Sequence, residues 1–239
     1  MSFDFTGWTL VFDLDGTLVE TAPDLHAALN HTLATKGLGP VSLDSIRMMI
    51  GDGAKALIRK GLTHHQVTVD ERDIEARLWP TFLEHYQAHI TRFSQPFESC
   101  VDTLVGLRGD GANLVVCTNK AQDLAEQVLA GLGLDRHFSA LIGGDALPFK
   151  KPDGRHILAA VAKGGGDEGR TIMIGDAWTD ERAARDARLP FVFVSFGYGT
   201  LSDQPYDRLQ SIDHWRDMRR ALTHLATRFS PGDTRCEPH

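Results

Sequence analysis

Two carboxylates, Asp13 and Asp15, stand one residue apart at the end of the apolar run in "WTLVFDLDGTLVE" (residues 8–20), and Gly-Thr follows at once. Acids beside an apolar core are costly unless a cation or hydrogen-bond donors compensate them, so the placement asks for a chemical reason. Other apolar runs end in similar fashion. Gly144-Asp145 follows 140–142, Gly175-Asp176 follows 171–174, and Asp180 stands four residues farther on. Thr118-Asn119 closes the run 113–117, and Lys151 lies between the third and fourth runs. Asp13, Asp15 and Asp176, if brought together, would repel one another and require a cation. Oxygen donors without a matched cluster of His or Cys favour Mg²⁺ over zinc. The eleven histidines offer no His-x-x-x-His with a suitable acidic partner.

The elements that must position these groups are legible from periodicity. Five short, nearly continuous apolar stretches, at 9–12, 113–117, 140–142, 171–174 and 191–196, suit strands covered on both faces and hence a parallel sheet. Helical patterns fall at 121–132, 154–162, 180–187 and 215–228. Such sheets place chemistry beyond the carboxyl ends of their strands, where the acids listed above all lie. The gap between the first two strands is far longer than a βα crossover requires, so a second unit is inserted there. Its interior reads as helical at 23–35, 43–49, 54–59 and 70–90, with Ile74, Leu78, Phe82 and Tyr86 recurring every four residues as a core stripe. Pro96 interrupts "TRFSQPFES" (91–99), which reads as the return linker. The expected fold is therefore α/β: a Rossmann-like parallel-sheet core (1–18 and 95–239) with an inserted all-helical cap domain (19–94). "KGGGDEG" (163–169) reads as a plain loop, and "FSPGDTRCEPH" at the end as a frayed tail.

The totals restrict the function further. The 239 residues carry a formal net charge of −7, with Lys and Arg scattered, which argues against general nucleic-acid binding. Neither a secretory signal nor a membrane span is recognisable, so the expected location is cytoplasmic. Cys100, Cys117 and Cys236 are odd in number, widely spaced and free of a Cys-x-x-Cys pattern, and Cys117 reads as a buried strand residue.

"DLDGT", "CTNK", "KKP" and "GDAWTD", in that order, resemble the motifs of the haloacid dehalogenase superfamily, whose members are predominantly phosphatases. An insertion directly after the first motif is similar to the helical-cap subclass. The resemblance implies that Asp13 attacks phosphorus and that Asp15 protonates the leaving alkoxide, then activates water against the aspartyl-phosphate. It implies Mg²⁺ held by the Asp13 carboxylate, the Asp15 carbonyl and Asp176, with Asp180 orienting water or Lys151. Thr118, the Asn119 backbone N–H and Lys151 would hold the phosphoryl group. The dehalogenating relatives do not retain the second acid in this form, so Asp15 favours phosphoryl transfer.

"MIGDGAKALI" (49–58) resembles the Gly-x-Gly cap loop of phosphoglycolate phosphatases, which implies that Gly51, Asp52, Gly53, Ala54 and Lys55 meet the leaving group. The implied partner is a small phosphorylated metabolite, best represented by 2-phosphoglycolate, with neither nucleic acid nor membrane, in a monomer or homodimer. Two residues depart from the family pattern: Arg188 stands where many relatives have glycine, and Trp178 is bulkier than its usual counterparts. The alternatives are a sugar-phosphate mutase or a phosphatase of different substrate range, and, in another class, a catalytically silent phosphate-binding regulatory protein.

Overall fold

The computed structural model describes residues 3–229; Cys236 and residues 230–239 of the expected frayed tail lie outside the described residues. In chain order, β1 (Thr9–Phe12) and a short β2 (Val19–Glu20) precede α1 (Ala22–Ala34), α2 (Leu43–Arg47) and α3 (Ala54–His64). A long helix follows as α4 (Glu71–Asp73), a π-helical turn (Ile74–Leu78) and α5 (Trp79–Ala88). The chain returns through β3 (Gln95–Pro96) to α6 (Cys100–Gly109), β4 (Asn113–Cys117), α7 (Gln122–Gly131) and β5 (Ala140–Ile142). It ends with α8 (Gly154–Lys163), β6 (Thr171–Gly175), α9 (Trp178–Asp186), β7 (Phe191–Val194), β8 (Leu209–Ile212) and α10 (Met218–Arg228).

Six strands form one sheet in the order β5-β4-β1-β6-β7-β8, every neighbouring pair parallel. Alternation along the strands feeds two cores. Leu10 and Phe12 of β1, with Leu114 and Val116 of β4, pack among α6, α7 and α10. Val11, Val115 and Cys117 face α8 and α9 instead. Burial on both faces explains why these strands read as continuous apolar runs. The first connection leaves β1 toward β4, whereas the later ones leave β6 toward β7. The crevice beyond the carboxyl ends of β1 and β6 is consequently the topological switch point, where open α/β sheets bind ligands.

The insertion between β1 and β4 is helical and carries its own core, in which Leu25, Leu29, Ile58, Ile74, Leu78, Phe82 and Tyr86 meet Leu124 of α7. The four-residue stripe of the long helix is buried throughout. Pro80, which cannot donate to the helical ladder, is the second residue after the π-helical turn and accounts for the change of winding.

Several elements differ from the sequence reading. The helix expected at 54–59 runs on to His64, because Leu57, Ile58, Gly61 and Leu62 keep facing the cap core. Residues 91–99 are not only a linker, since Gln95 and Pro96 pair antiparallel with Glu20 and Val19, so the two crossings to the cap form one small ribbon. Helix α6 and edge strand β8 were not expected. The fifth strand stops at Val194 rather than at 196. Residue Arg188 adopts φ +57°, the left-handed conformation for which glycine is favoured. Among the described residues, no helix is long and apolar enough to cross a membrane.

Entry and exit of the cap are joined by Asp24, which is 2% exposed in the first turn of α1. Its carboxylate accepts the backbone N–H of Phe93 (3.1 Å), the N–H of Ser94 (2.8 Å) and the Ser94 hydroxyl (2.6 Å). Asp24→Ala removes the acceptor and strands those donors, so we expect a loss of about 2–4 kcal/mol, read as a lower urea midpoint. An unchanged midpoint would show that water replaces the carboxylate.

Candidate active site

Strand β1 delivers Asp13 to the switch point, and its ladder runs one residue further, with the Asp13 N–H donating to Ile174 O at 2.9 Å. Strand β6 delivers Asp176 beside it. Asp180 comes from the first turn of α9, where one oxygen accepts the Ala177 N–H at 3.1 Å. Carboxylate oxygens of Asp13, Asp176 and Asp180, all buried, lie within 4.8 Å of one another. Lys151, itself 2% exposed, enters between them. Its ammonium donates to Asp180 Oδ1 at 2.6 Å and stands 2.8 Å from Asp13 Oδ1. One ammonium thus serves two of the three acids, and leaves the third to other donors.

Close packing at the turn after β1 makes room for this cluster. Gly16 has φ +84°, and a Cβ there would lie 2.5 Å from Asp176 Oδ2. The chain can therefore turn toward the cap only with glycine at this position. Thr17 then donates its hydroxyl to Asp176 Oδ1 at 3.1 Å, and the Tyr198 N–H donates to Oδ2 at 2.6 Å.

Burial dominates the electrostatics. It pushes Asp176 up to about 8, assisted by repulsion from Asp13 and Asp180 and opposed by the Tyr198 and Thr17 hydrogen bonds. Asp13 rises to about 6 through burial and the nearby acids, with Lys151 pulling the other way. Burial would lower Lys151, but Asp13 and Asp180 overcome it and hold the ammonium well above the usual lysine range. Three hard oxygen donors crowded within one buried cluster, with proton affinities raised at two of them, fit a small divalent cation such as Mg²⁺.

Asp15 sits differently from Asp13. It accepts the Thr21 hydroxyl at 2.6 Å and the Lys120 ammonium at 3.0 and 3.3 Å. Both acids line a chamber of about 410 Å³ between core and cap. Thr118 and Asn119 line the core side, and 50–57 line the cap side, including Gly51, Asp52, Gly53, Ala54 and Lys55. The Asn119 amide donates to Gly51 O and to Lys151 O, each at 3.0 Å. Lys150 donates to Asp52 O at 2.8 Å, so two neighbouring cap carbonyls are held from the core. Lys55 is gripped by both oxygens of Glu75 at 2.7 Å.

Sequence reasoning did not single out Lys120, Thr21, Tyr198 or His156, and read Tyr86 as part of the cap core stripe alone. Lys120 directly follows Thr118-Asn119, and its adjacency to a strand end was the available signal. His156, fully buried, is held neutral by burial and by Lys151, which push it down to about 4; its ring contacts Cys117 Sγ at 3.3 Å and Gly143 O at 3.2 Å. Burial pushes the Cys117 thiol up to about 12, so it is inert packing. Trp178 is 41% exposed, its ring beneath the Arg182 guanidinium at 5.9 Å.

Comparison with known proteins is consistent across three levels. The family model described as haloacid dehalogenase-like hydrolase matches residues 10–194. A phosphoglycolate phosphatase of Caulobacter vibrioides is 44% identical over 227 residues, covering 94% of each chain. Another, from Agrobacterium fabrum, is 45% identical over 188 residues, covering 79% of this chain and 80% of its own. A crystal structure described as a predicted phosphoglycolate phosphatase from Haemophilus somnus superposes with a TM-score of 0.81 at 26% identity, covering 90% of this chain and 97% of that one.

The raised carboxylates make a signed prediction. Asp13 and Asp176 keep a proton in the folded state to higher pH than in the unfolded chain, whose ordinary value is 3.8. The stability these two groups contribute to the metal-free protein is thus fully present below that value and is lost as pH rises toward about 8. Mg²⁺ competes with those protons, so the rise in melting temperature on adding it should be larger at pH 8.5 than at pH 5.5, as differential scanning fluorimetry would show. A shift independent of pH would remove these acids from the cation site.

Proposed function

The chain belongs to the haloacid dehalogenase-like hydrolases, and from that premise we propose that its substrate is 2-phosphoglycolate, cleaved in the cytoplasm to glycolate and phosphate. It is a Mg²⁺-dependent phosphatase of small phosphate esters. The observation that carries the narrower reading is the roof of the chamber. Residues 50–57 close over Asp13 and Asp15, held through Asn119 and Lys150, so the leaving group must fit between Asp15 and the start of α3. Two relatives covering most of this chain bear the name phosphoglycolate phosphatase, which supports the same choice.

In this reading Asp13 attacks phosphorus, forming an aspartyl-phosphate while the P–O bond to the leaving group breaks. Asp15 gives its proton to the departing oxygen and then takes one from the water that hydrolyses the intermediate. Thr118 and the Asn119 N–H orient the phosphoryl oxygens, and Lys151 offsets their charge from a position fixed by Asp180. Asp13, Asp176 and the Asp15 carbonyl would hold Mg²⁺, which, when bound, supplies further charge compensation at the phosphoryl group. Residues 19–94 act as the closing unit on a core of 1–18 and 95–239, with the ribbon of β2 and β3 as the crossing.

Phosphate-release profiling with Mg²⁺ tests the substrate, using 2-phosphoglycolate, hexose phosphates, nucleotides, pyrophosphate and phosphonoacetaldehyde. Preference for 2-phosphoglycolate is expected, and preference for another panel member sinks the narrow reading. Asp13→Asn is nearly isosteric, and should lower kcat at least about 1,000-fold while the circular dichroism spectrum stays native. Wild-type turnover in a well-folded Asp13→Asn protein would defeat the nucleophile assignment.

A further inference from the structure

We infer that Lys120 is the specificity-determining residue that receives the carboxylate of the leaving group, an assignment that rests on the 2-phosphoglycolate reading. Among the described residues, four cationic side chains line the chamber: Lys55, Arg59, Lys120 and Lys150. Three of them are poorly suited to the task. Lys55 and Arg59 have side chains 39% exposed and are already matched by Glu75 and Glu71. Solvated cations in existing ion pairs gain little from a further anion. Lys150 is committed to the Asp52 carbonyl.

Lys120 has a side chain only 4% exposed, so its charge acts in a medium of low polarity, where pairing is strong and specific. The Tyr86 ring lies 4.8 Å from its ammonium and stabilises the cation without neutralising it. Leu25, Leu124 and Trp79 contribute apolar surface to the same chamber. Burial alone would lower the proton affinity of Lys120, but Asp15 and Tyr86 outweigh it, and the group stays charged.

Position singles out the same residue. An acid that protonates the ester oxygen lies within one hydrogen bond of that oxygen. Lys120 lies one hydrogen bond beyond Asp15, at 3.0 Å. A carboxylate separated from the ester oxygen by a single methylene falls within the same short span. The ammonium has three N–H donors, and it can share them between Asp15 and the arriving carboxylate. A phosphate ester without a carboxylate leaves that capacity unused and loses the matching interaction.

The test compares kcat/KM for 2-phosphoglycolate and for ethyl phosphate, with Mg²⁺, in the wild type, Lys120→Met and Lys120→Arg. Wild type should favour 2-phosphoglycolate strongly. In Lys120→Met both values fall, because Asp15 loses a partner, but the ratio between the substrates should drop by about 30-fold or more. Lys120→Arg keeps the charge and should keep the ratio within about fivefold of wild type. If Lys120→Met does not fold, Lys120→Gln, which retains donors toward Asp15, carries the same expectation for the ratio. A variant that falls equally on both substrates, in an enzyme whose wild type prefers 2-phosphoglycolate, overturns the Lys120 assignment alone. A wild type that favours ethyl phosphate overturns the substrate reading and the assignment together.

Discussion

Charge compensation at the carboxyl ends of β1 and β6 is the constraint on which the rest of the structure depends. Asp13, Asp176 and Asp180 are buried within reach of one another, and Lys151 is the ammonium among them. Three carboxylates and one ammonium leave two negative charges when all are ionised. A buried excess of that size is untenable without protons or a divalent cation, and the raised proton affinities of Asp13 and Asp176 express the same imbalance. The sheet order produces the juxtaposition, since strands far apart in sequence become neighbours only because the connections reverse at β1 and β6. The tight turn at Gly16 and the hydrogen bonds from Thr17 and Tyr198 then keep Asp176 in place.

One loop residue ties this cluster to the crossing between core and cap. Tyr198 donates its backbone N–H to Asp176, while its hydroxyl donates to Glu20 at 2.8 Å and accepts the N–H groups of Thr21 and Ala22 at 2.8 and 3.0 Å. Glu20 is paired in turn with Arg47 of α2. One residue therefore contacts both the carboxylate cluster and the start of the cap. Asp24 performs the complementary task on the other crossing, holding the return segment against α1.

Legibility in the sequence followed the range of the interactions. Strand ends could be read because β1, β4, β6 and β7 are covered on both faces and leave unbroken apolar runs, after which any polar residue stands out. Edge strand β8 carries Gln210 and Ser211, and β2 and β3 are two residues each, so neither leaves a periodic trace. Helix α6 was obscured by Gly106 and Gly109 and by a modest apolar stripe of Cys100, Leu104 and Leu107. Lys120 and Tyr198 were hidden for another reason. Their partners Asp15 and Glu20 are 105 and 178 positions away, and a lysine or tyrosine carries no local mark of such a pairing. Arg188 shows the opposite case, in which a departure visible in the sequence corresponds to a backbone strain visible in the fold.

The two cation–carboxylate pairs of the site divide along the boundary between core and cap. Lys151 meets Asp13 and Asp180, so the centre proposed for attack on phosphorus is assembled wholly from β1, the segment before α8, and α9. Lys120 meets Asp15 on one side and the ring of Tyr86, a cap residue of α5, on the other. The Asp15–Lys120 side of the site is thus completed only with the cap in position, while the Asp13–Lys151 side is built without it. The cap thus reaches the Asp15–Lys120 pair through the neutral ring of Tyr86 and the Thr21 hydroxyl, and does not contribute to the Lys151 pairs. Lys120 therefore cannot be changed without touching Asp15 as well as the cap.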